Sequence, residues 1–507
     1  MSVTHDPVVE TTSGRVRGAA NRGVYVFKGI PYGGDTGREN RFLPPNPAQP
    51  WTGIREASAF GHQSPQVPIR EMPAWAVGWG VDQTDGEDCL ALNVWTPGPD
   101  DRRRPVMVWF HGGGFAQGSA ASVVYDGTRL AERGDVVLVS VNHRLNIFGY
   151  LHLSTLGDGR FGQSENLGQL DLIAALCWVR DNIAAFGGDP ANVTIFGESG
   201  GGGKVCAMLA MPAAKGLFQR AIVQSGPLQT VLTREQAGAV ARSALAALDL
   251  TPAKIDQIQT VPAPALIDAI ATAGAGAPLA FSPMMGGATL PRHPFSPDAP
   301  EVSADVPVMI GWNKDELTTL TPDERLFQLD WPDLPARLAL FTGDGDPHGI
   351  IDAVRKLRPQ ARASDVFFLV ASDRMFGQSS RRIAALKAAQ GRAPAFFYQL
   401  EWESPVAGGR YRCGHALDLP LVFDNVALSR QFVGEDEEVA QGLADTMSQA
   451  WLNFARNGDP NGAGIPRWSP YDEAERRTMV FDQVSAEVSD PSSAQRAAVD
   501  AMPILPF

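Results

Sequence analysis

The sequence has few cysteines and no long apolar run, and both shortages narrow the class of protein. Four cysteines stand among 507 residues, at positions 89, 177, 206 and 413, which is too few for a disulfide-stabilised scaffold. No stretch approaches the roughly 20 apolar residues that are needed to span a bilayer. The first residues, 1–7, contain neither a basic nor an apolar segment of the kind found in signal peptides. We therefore expect a cytoplasmic protein without a membrane partner.

Motifs for metals and nucleotides are also missing. The cysteine spacing matches no zinc motif, and there is no H-E-x-x-H. A phosphate-binding G-x-x-x-x-G-K-[ST] ending at Lys204 would need glycine in place of Glu198 and serine or threonine in place of Val205. The net charge of −13 disfavours nucleic acid and anionic membranes as partners. We expect no metal, no cofactor and no nucleic-acid partner.

What the sequence does contain is an alternation of short apolar segments with helical patterns. Nearly continuous apolar strands separated by helices are typical of a mostly parallel sheet with helices on both faces. Strands are predicted at 8–12, 14–18, 24–27, 90–95, 105–110, 135–141, 193–196, 221–225, 306–310, 395–400 and 479–481, and helices at 166–186 and 436–457. We expect an α/β fold in one domain over residues 1–507. Insertions at 60–85, 230–300 and 318–395 are predicted to form a lid, the last of them mostly helical.

One pentapeptide has the context of a catalytic turn. Gly197-Glu198-Ser199-Gly200-Gly201 follows the strand 193–196 and precedes a segment of small and apolar residues that can form a helix. Strand, G-x-S-x-G and helix together indicate a nucleophile elbow, in which the glycines leave room for a tight turn. The helix N-terminus favours a developing negative charge beside the serine. Ser199 is the predicted nucleophile, and the alternative is a glycine-rich turn without a catalytic role.

A serine nucleophile needs a base, and the base needs an acid that orients it. An elbow of this kind is followed along the chain first by the acid and then by the histidine. Three histidines follow Ser199. His415 stands in a loop near the last predicted strands, whereas His293 and His348 stand in turns and are interpreted as surface residues. His415 is therefore the predicted base.

Two adjacent carboxylates are candidates for the acid. Asp315 and Glu316 come directly after the strand 306–310 and its short extension. A triad acid is expected at the carboxyl end of a strand between the serine and the histidine. Periodicity does not choose between the two.

A second glycine run, H-G-G-G-F at 111–115, follows the strand 105–110. Consecutive glycines allow main-chain N–H groups to approach a carbonyl oxygen, as an oxyanion hole requires. Loops of this type act in lipases and esterases together with the N–H of the residue after the nucleophile, here Gly200. The elbow and the H-G-G-G loop together therefore predict an oxyanion hole more strongly than either segment does alone.

These and other segments together resemble the type B carboxylesterase family, the cholinesterase-like serine esterases, in its bacterial para-nitrobenzyl-esterase form. The resemblance covers nearly the whole chain, and the segments that carry it are 27–32, 87–94, 111–115, 186–190, 193–201, 224–226 and 313–316. It implies an α/β-hydrolase fold with the triad Ser199, Glu316 and His415.

The resemblance also assigns the residues around the triad. The implied oxyanion donors are the main-chain N–H groups of Gly113, Gly114 and Gly200. Ser225 corresponds to a family serine that supports the acid, and Glu198 and Asp418 correspond to acidic residues beside the triad.

Some positions depart from the family pattern. Cys89 lacks the upstream cysteine with which secreted members pair it, which favours a reducing compartment. Gly200 replaces a more common alanine. Lys204 stands where small apolar residues are usual and reaches either the surroundings of the site or solvent; solvent is the preferred interpretation. His143 replaces an aromatic residue and is interpreted as a packed histidine in the core or near the site.

Four aromatic residues are predicted to line the substrate pocket: Phe115, Trp75, Trp79 and Trp312. Trp312 stands where the family has a smaller residue and would narrow the region beside the acid. For Trp75 and Trp79 two interpretations stand, since they either line the entrance or only anchor their loop.

The sequence thus predicts a serine carboxylesterase that acts on a small-molecule ester, as a monomer or a homodimer. The same chemistry on carbamates, amides or xenobiotic esters is one alternative. A non-catalytic cholinesterase-like binding protein is another, and it is disfavoured because all three triad residues and the oxyanion glycines are present.

Overall fold

An eleven-stranded sheet is the framework of the protein. The structure is a computed structural model that describes residues 6–69, 72–77, 79–80, 83–157, 159–274, 279–343, 345–435 and 437–505. The strands are β1 (Val8–Thr11), β2 (Gly14–Arg17), β3 (Ala19–Asn21), β4 (Val24–Pro31), β5 (Ile54–Glu56), β6 (Ala91–Thr96), β7 (Arg104–Phe110), β8 (Val137–Val141), β9 (Gly188–Glu198), β10 (Arg220–Gln224), β11 (Val308–Asn313), β12 (Ala395–Leu400), β13 (Arg477–Phe481) and β14 (Ala486–Ser489).

The large sheet is mostly parallel, as predicted. Its strand order is β14-β13-β12-β11-β10-β9-β7-β8-β6-β4-β3, and β1, β2 and β5 form a separate three-stranded sheet. The strands from β13 to β8 in that order pair in parallel, and antiparallel pairs occur only toward the two edges among the described strands. Every residue of β7 and β8 is buried, which is the reason that both strands read as continuous apolar runs.

Helices occupy the segments between the strands. They are α1 (Thr128–Gly134), α2 (Asn146–Tyr150), α3 (Leu167–Asn182), α4 (Gly200–Ala210), α5 (Arg234–Ala247), α6 (Ala263–Ala273), α7 (Leu317–Leu320), α8 (Leu334–Thr342), α9 (Pro347–Leu357), α10 (Ala363–Ser372), α11 (Gln378–Ala389), α12 (Val406–Gly409), α13 (Asp418–Val422), α14 (Arg430–Val433), α15 (Glu437–Asn457) and α16 (Ser493–Asp500). Between α10 and α11 the backbone forms a π-helical turn at Asp373–Gly377.

Each face of the large sheet contributes to its own hydrophobic core. Along β7, Val108 belongs to one core and Trp109 to the other, because successive side chains of a strand point to opposite faces. Side chains of α3, α4 and α11 complete the first core, and side chains of α1, α13 and α15 complete the second. The predicted arrangement, with helices on both faces, is therefore present.

The predicted boundaries differ from the observed ones in a few places. Strand β11 begins later than predicted and continues to Asn313, which leaves only two residues between its end and Glu316. Strands β3, β5 and β14 were not predicted, since they are short and mostly exposed and so lack an apolar pattern. Residues 318–395 are mostly helical, as expected. Of the predicted lid segments, residues 70–71, 78, 81–82, 275–278 and 344 lie outside the described part of the chain.

Candidate active site

Ser199 lies in the turn that joins β9 to α4. Its backbone is in an unfavourable region for a residue with a side chain, at φ 57° and ψ −125°. The turn is held by the neighbouring strand, because the Ser199 N–H donates to the Gln224 carbonyl oxygen at 2.8 Å. A Cβ built at Gly201 would lie 2.0 Å from the carbonyl oxygen of Phe110. The turn can therefore form only because residue 201, which packs against the end of β7, is a glycine.

The H-G-G-G loop lies directly against this elbow. Gly113 and Gly114 have positive φ angles of 86° and 65°, which glycine adopts without steric cost. A Cβ built at Gly200 would lie 2.0 Å from the Gly114 carbonyl oxygen, so the loop touches the first residue of α4. Within the described chain the N–H groups of Gly113 and Gly114 donate no hydrogen bond. They are available to an oxygen atom placed above Ser199.

Glu316 and His415 are in direct contact. The Glu316 Oε2 atom lies 2.5 Å from His415 Nδ1, and the Glu316 Oε1 atom accepts a hydrogen bond of 2.8 Å from the Asn313 N–H. The His415 N–H donates to the Glu316 carbonyl oxygen at 3.2 Å. Both side chains are buried. This contact places Glu316 rather than Asp315 beside the histidine.

Asp315 points elsewhere. Its carboxylate lies 3.6 Å from Lys314 Nζ and 3.9 Å from an Arg412 guanidinium nitrogen. The other two downstream histidines are also away from this contact, since His348 is exposed and His293 Nδ1 accepts a hydrogen bond from the Val231 N–H. The geometry therefore selects one acid and one histidine from the candidates.

The outer nitrogen of His415 contacts a third acidic side chain. His415 Nε2 lies 3.1 Å from Glu198 Oε1. Among the described residues no hydrogen bond joins Ser199 Oγ to His415. Such contacts are often long before substrate binds and tighten in the reacting complex. The structure brings serine, histidine and acid to one edge of the sheet, with Glu198 beside the His415 nitrogen that does not contact Glu316.

Burial and mutual repulsion alter the acidity of this cluster. Burial raises the pKa of Glu198 to about 8. For His415, burial acts to lower the pKa, but the negative charges of Glu198 and Glu316 outweigh it and raise the pKa to about 9. Burial also raises the pKa of Asp418 to about 6, although the Gln224 amide donates to this carboxylate at 2.7 Å. These groups titrate as a coupled set rather than one by one.

Ser225 is buried at the end of β10, at φ 45°. Its N–H donates to the Gly311 carbonyl oxygen at 2.9 Å, whereas its Oγ atom has no hydrogen-bond partner among the described residues. The Glu316 carboxylate is held instead by Asn313 and His415. A role of Ser225 in supporting the acid stays a prediction.

The predicted pocket aromatics make packing contacts. Phe115 is buried, with its ring 5.3 Å from that of Tyr150. Trp312 is buried in β11 against the π-helical turn, where a Cβ built at Gly377 would lie 2.7 Å from its ring. Both rings are therefore packed inside the protein. Their contact with substrate stays a prediction.

Trp75 and Trp79 pack against each other and against α14. Their ring centroids are 5.4 Å apart, and Phe432 lies 5.0 Å from the first and 5.7 Å from the second. The Trp79 Nε1–H donates to Ser429 Oγ at 3.1 Å. These contacts support the interpretation in which the two indoles anchor their loop.

The preferred interpretation of Lys204 was wrong. The side chain is fully buried rather than exposed, and its ammonium group donates to the His111 carbonyl oxygen at 2.8 Å. Burial lowers its pKa to about 7. Lysine is usually a surface residue, but every residue from Gly201 to the end of α4 is buried, so this helix has no solvent face for it.

His143 lies in the core, as one of its two interpretations requires. Its ring is 4.7 Å from that of His111, and neither of its nitrogens has a hydrogen-bond partner among the described residues. Burial and the nearby Lys204 charge lower the pKa of His143 well below its usual value.

Phe376 was not predicted to be near the site. Its ring centroid is 5.2 Å from that of His415, and it belongs to the π-helical turn at Asp373–Gly377. Such turns are frequent at functional sites because they insert one residue into a helix and redirect its neighbours. The residues of this region show only a helical pattern, and a single inserted residue does not change such a pattern detectably.

Comparisons with known proteins agree with the fold. A profile described as the carboxylesterase family matches residues 5–330 and 350–499. The para-nitrobenzyl esterase of Bacillus subtilis is 36% identical, over 97% of this chain and 98% of that protein. The liver carboxylesterase of Sus scrofa is 32% identical, over 92% and 88% respectively.

Solved structures give the same result. A carboxylesterase of Geobacillus stearothermophilus superposes with a TM-score of 0.84 at 39% identity, over 97% of this chain and 99% of that one. In the described part of this chain, no helix is both long and apolar enough to cross a membrane.

Proposed function

The chain belongs to the carboxylesterase family, has the α/β-hydrolase fold and is a serine esterase; from this premise we propose that it hydrolyses esters through Ser199, His415 and Glu316. The observation that carries the proposal is the 2.5 Å contact between His415 and Glu316 at the sheet edge that also holds the strained turn of Ser199. A buried acid on one imidazole nitrogen orients the other nitrogen toward the nucleophile.

In the proposed reaction, Ser199 Oγ attacks the ester carbonyl carbon while His415 Nε2 takes the hydroxyl proton. Glu316 accepts a hydrogen bond from His415 Nδ1–H and stabilises the imidazolium that forms. The carbonyl oxygen becomes negatively charged and receives hydrogen bonds from the N–H groups of Gly113, Gly114 and Gly200. His415 then gives its proton to the departing alcohol. Water, activated by the same histidine, releases the acid from Ser199.

The substrate is proposed to be an ester with an aromatic part. The name of the Bacillus subtilis relative refers to para-nitrobenzyl esters, and Phe376 lies beside His415. We propose that the segments 60–85, 230–300 and 318–395 form the lid over this substrate. The contact of Phe376, which belongs to the last segment, with the histidine supports that assignment.

The compartment, the oligomeric state and the partners of the enzyme are also proposals. Cys89, Cys177, Cys206 and Cys413 are all free thiols, which supports a reducing, cytoplasmic compartment. We propose a monomer or homodimer with a small-molecule ester as its partner and with no nucleic acid, consistent with the net charge of −13.

Hydrolysis of p-nitrophenyl esters from acetate to palmitate, and of p-nitrobenzyl acetate, tests the proposal. Wild type should turn over short or medium chains, and Ser199→Ala should lose activity by about 10⁶-fold, the typical cost of removing a triad serine. Ser448→Ala is the matched control, because it removes a buried hydroxyl without a described partner in α15. It should retain wild-type activity.

A serine-directed fluorophosphonate provides a second readout of the same proposal. Intact mass should show one added group on wild type and on Ser448→Ala, and none on Ser199→Ala. Inactivity of wild type on every ester, together with unlabelled Ser199, would leave the non-catalytic binding protein as the better description. Equal activity of Ser199→Ala and wild type would assign the nucleophile elsewhere.

A further inference from the structure

Lys204 is a buried lysine that forms no ion pair with a carboxylate in the part of the chain that the structure describes. It lies in the middle of α4, and none of its side chain is exposed. Within the described chain its ammonium group forms no ion pair; the hydrogen bond to the His111 carbonyl oxygen, at 2.8 Å, is its polar contact. Burying a charge without an opposite charge is costly. An apolar residue would fill this position at lower cost if packing were its only role.

Among the described residues, no carboxylate pairs with Lys204 to offset that cost. The Phe115 ring lies 5.9 Å from Nζ, and His111 and His143 have pKa values held well below the usual range by burial and by the Lys204 charge. Both imidazoles are therefore neutral at neutral pH. Among these described side chains, Lys204 is the group that carries positive charge near neutral pH, and with a pKa lowered to about 7 it gains a proton most readily when a negative charge forms nearby.

The carbonyl group that Lys204 contacts belongs to the oxyanion loop. His111 is the residue before Gly112, Gly113 and Gly114, and glycines impose little restriction of their own on the backbone. The loop is held by hydrogen bonds from the Ala116 and Gln117 N–H groups to the Gly113 carbonyl oxygen, at 3.3 and 3.1 Å, and by the contact at His111. The direction of the Gly113 and Gly114 N–H groups therefore depends on both sets of contacts. Lys204 supplies such a contact from α4, the same helix whose first residue, Gly200, is the third donor.

Lys204 is also close enough to act by its charge. Its ammonium group lies 2.8 Å from the carbonyl oxygen of His111, the residue before the three loop glycines. Inside a protein, a positive charge in contact with this loop interacts appreciably with a negative charge that the loop N–H groups receive.

We propose that Lys204 is a positioning residue of the oxyanion site, which holds the Gly112–Gly114 loop through the His111 carbonyl and favours the negatively charged tetrahedral intermediate. The inference rests on the proposed function of Ser199. It assigns a role in the reaction to a residue outside the triad and the three N–H donors.

Lys204→Met tests the inference, because methionine keeps an unbranched side chain, one atom shorter than that of lysine, and removes both the donor and the charge. We expect kcat for p-nitrophenyl acetate to fall at least tenfold while KM stays within twofold of wild type. The affinity for an alkyl trifluoromethyl ketone, whose serine adduct carries the same oxyanion, should fall by the same factor as kcat/KM. A purely structural lysine would not link these two quantities.

Lys387→Met is the matched control. Lys387 is also buried, and it donates to the carbonyl oxygens of Ser303 and Ala304 at 2.7 and 2.9 Å. Burial lowers its pKa to about 8. Since it contacts no residue of the oxyanion loop, Lys387→Met should keep the wild-type kcat and ketone affinity.

The outcomes separate this inference from the proposed function. If Ser199→Ala is inactive but Lys204→Met keeps wild-type kcat and ketone affinity, the role of Lys204 is refuted and the triad stands. If Lys204→Met does not fold, as judged by circular dichroism and thermal unfolding, Lys204→Gln replaces it, because glutamine keeps a hydrogen-bond donor without the charge. A partial loss of kcat and of ketone affinity in Lys204→Gln supports the inference, and wild-type values overturn it.

Discussion

The two sides of the candidate site are built on different physical principles. The main-chain side, made of Gly112–Gly114 and Gly200, places N–H groups by close packing that leaves no room for a Cβ at Gly113 and Gly200 and by the positive φ angles of Gly113 and Gly114. The charged side, made of Glu198, Glu316 and His415, relies on buried carboxylates whose charges raise the pKa of the histidine. Activity should therefore be sensitive to added side-chain volume on the main-chain side. On the charged side, activity should depend on charge and on pH.

The largest effect beyond loss of the serine is expected on the charged side. Glu316→Gln should lower kcat by about 10⁴-fold, the typical cost of holding a triad histidine in the wrong tautomer. The measurement is kcat for p-nitrophenyl acetate at saturating substrate.

Asp315→Asn is the control for that change, since Asp315 is the neighbouring buried carboxylate and contacts Lys314 and Arg412 instead of His415. It should lower the melting temperature, because it weakens buried ion pairs. Its kcat should fall far less than that of Glu316→Gln. Equal losses of kcat in the two variants would contradict the assignment of Glu316 as the acid.

A smaller effect is expected on the main-chain side. Gly200→Ala would place a Cβ 2.0 Å from the Gly114 carbonyl oxygen, so the loop must move and its N–H groups with it. We expect kcat to fall by about 10²–10³-fold, the cost of losing one oxyanion donor, with little change in KM.

Gly442→Ala is the control for a glycine-to-alanine change in a helix. Gly442 is exposed in α15, and a Cβ there would meet no atom within 4 Å. Activity should not change, and the free energy of unfolding should rise by up to about 1 kcal/mol. Alanine is common at position 200 in the family, so wild-type activity of Gly200→Ala would show that the loop adapts and that the main-chain side is less strict than its packing indicates.

The smallest effect concerns pH. His415 must be neutral to accept the Ser199 proton, so kcat/KM rises with pH through the pKa of His415, which the adjacent carboxylates raise to about 9. Glu198→Gln removes a negative charge 3.1 Å from Nε2 and so lowers the pKa of His415. The acidic limb of the kcat/KM profile should move to lower pH by at least about one pH unit. An unmoved limb, or one moved to higher pH, would show that Glu198 does not stabilise the imidazolium.

The two sides also differ in how far the sequence predicts them. The elbow and the H-G-G-G loop are visible because main-chain geometry demands glycine at particular spacings. Residue spacing alone left Asp315 and Glu316 equivalent, and only the resemblance favoured Glu316, because the choice depends on the direction of side chains after β11.

Burial in three dimensions was the hardest property to predict. Lys204 was assigned to solvent from its residue type, whereas α4 lies inside the protein and has no exposed face beyond its first residue. The large sheet could be predicted because each buried strand is itself a run of mostly apolar residues. The contact of Phe376 with His415 depends on one π-helical turn, which no such run of residues indicates.

The strand order determines when activity appears as the chain folds. Neighbouring strands β7, β9, β10 and β11 bring together residues from positions 111–114, 199–200 and 316, and His415 follows β12. No segment of the chain shorter than about 300 residues contains all of these groups. Catalysis can therefore begin only when β12 and the loop of His415 have joined the sheet, and an enzyme assay during refolding reports the joining of distant segments rather than the first step of folding.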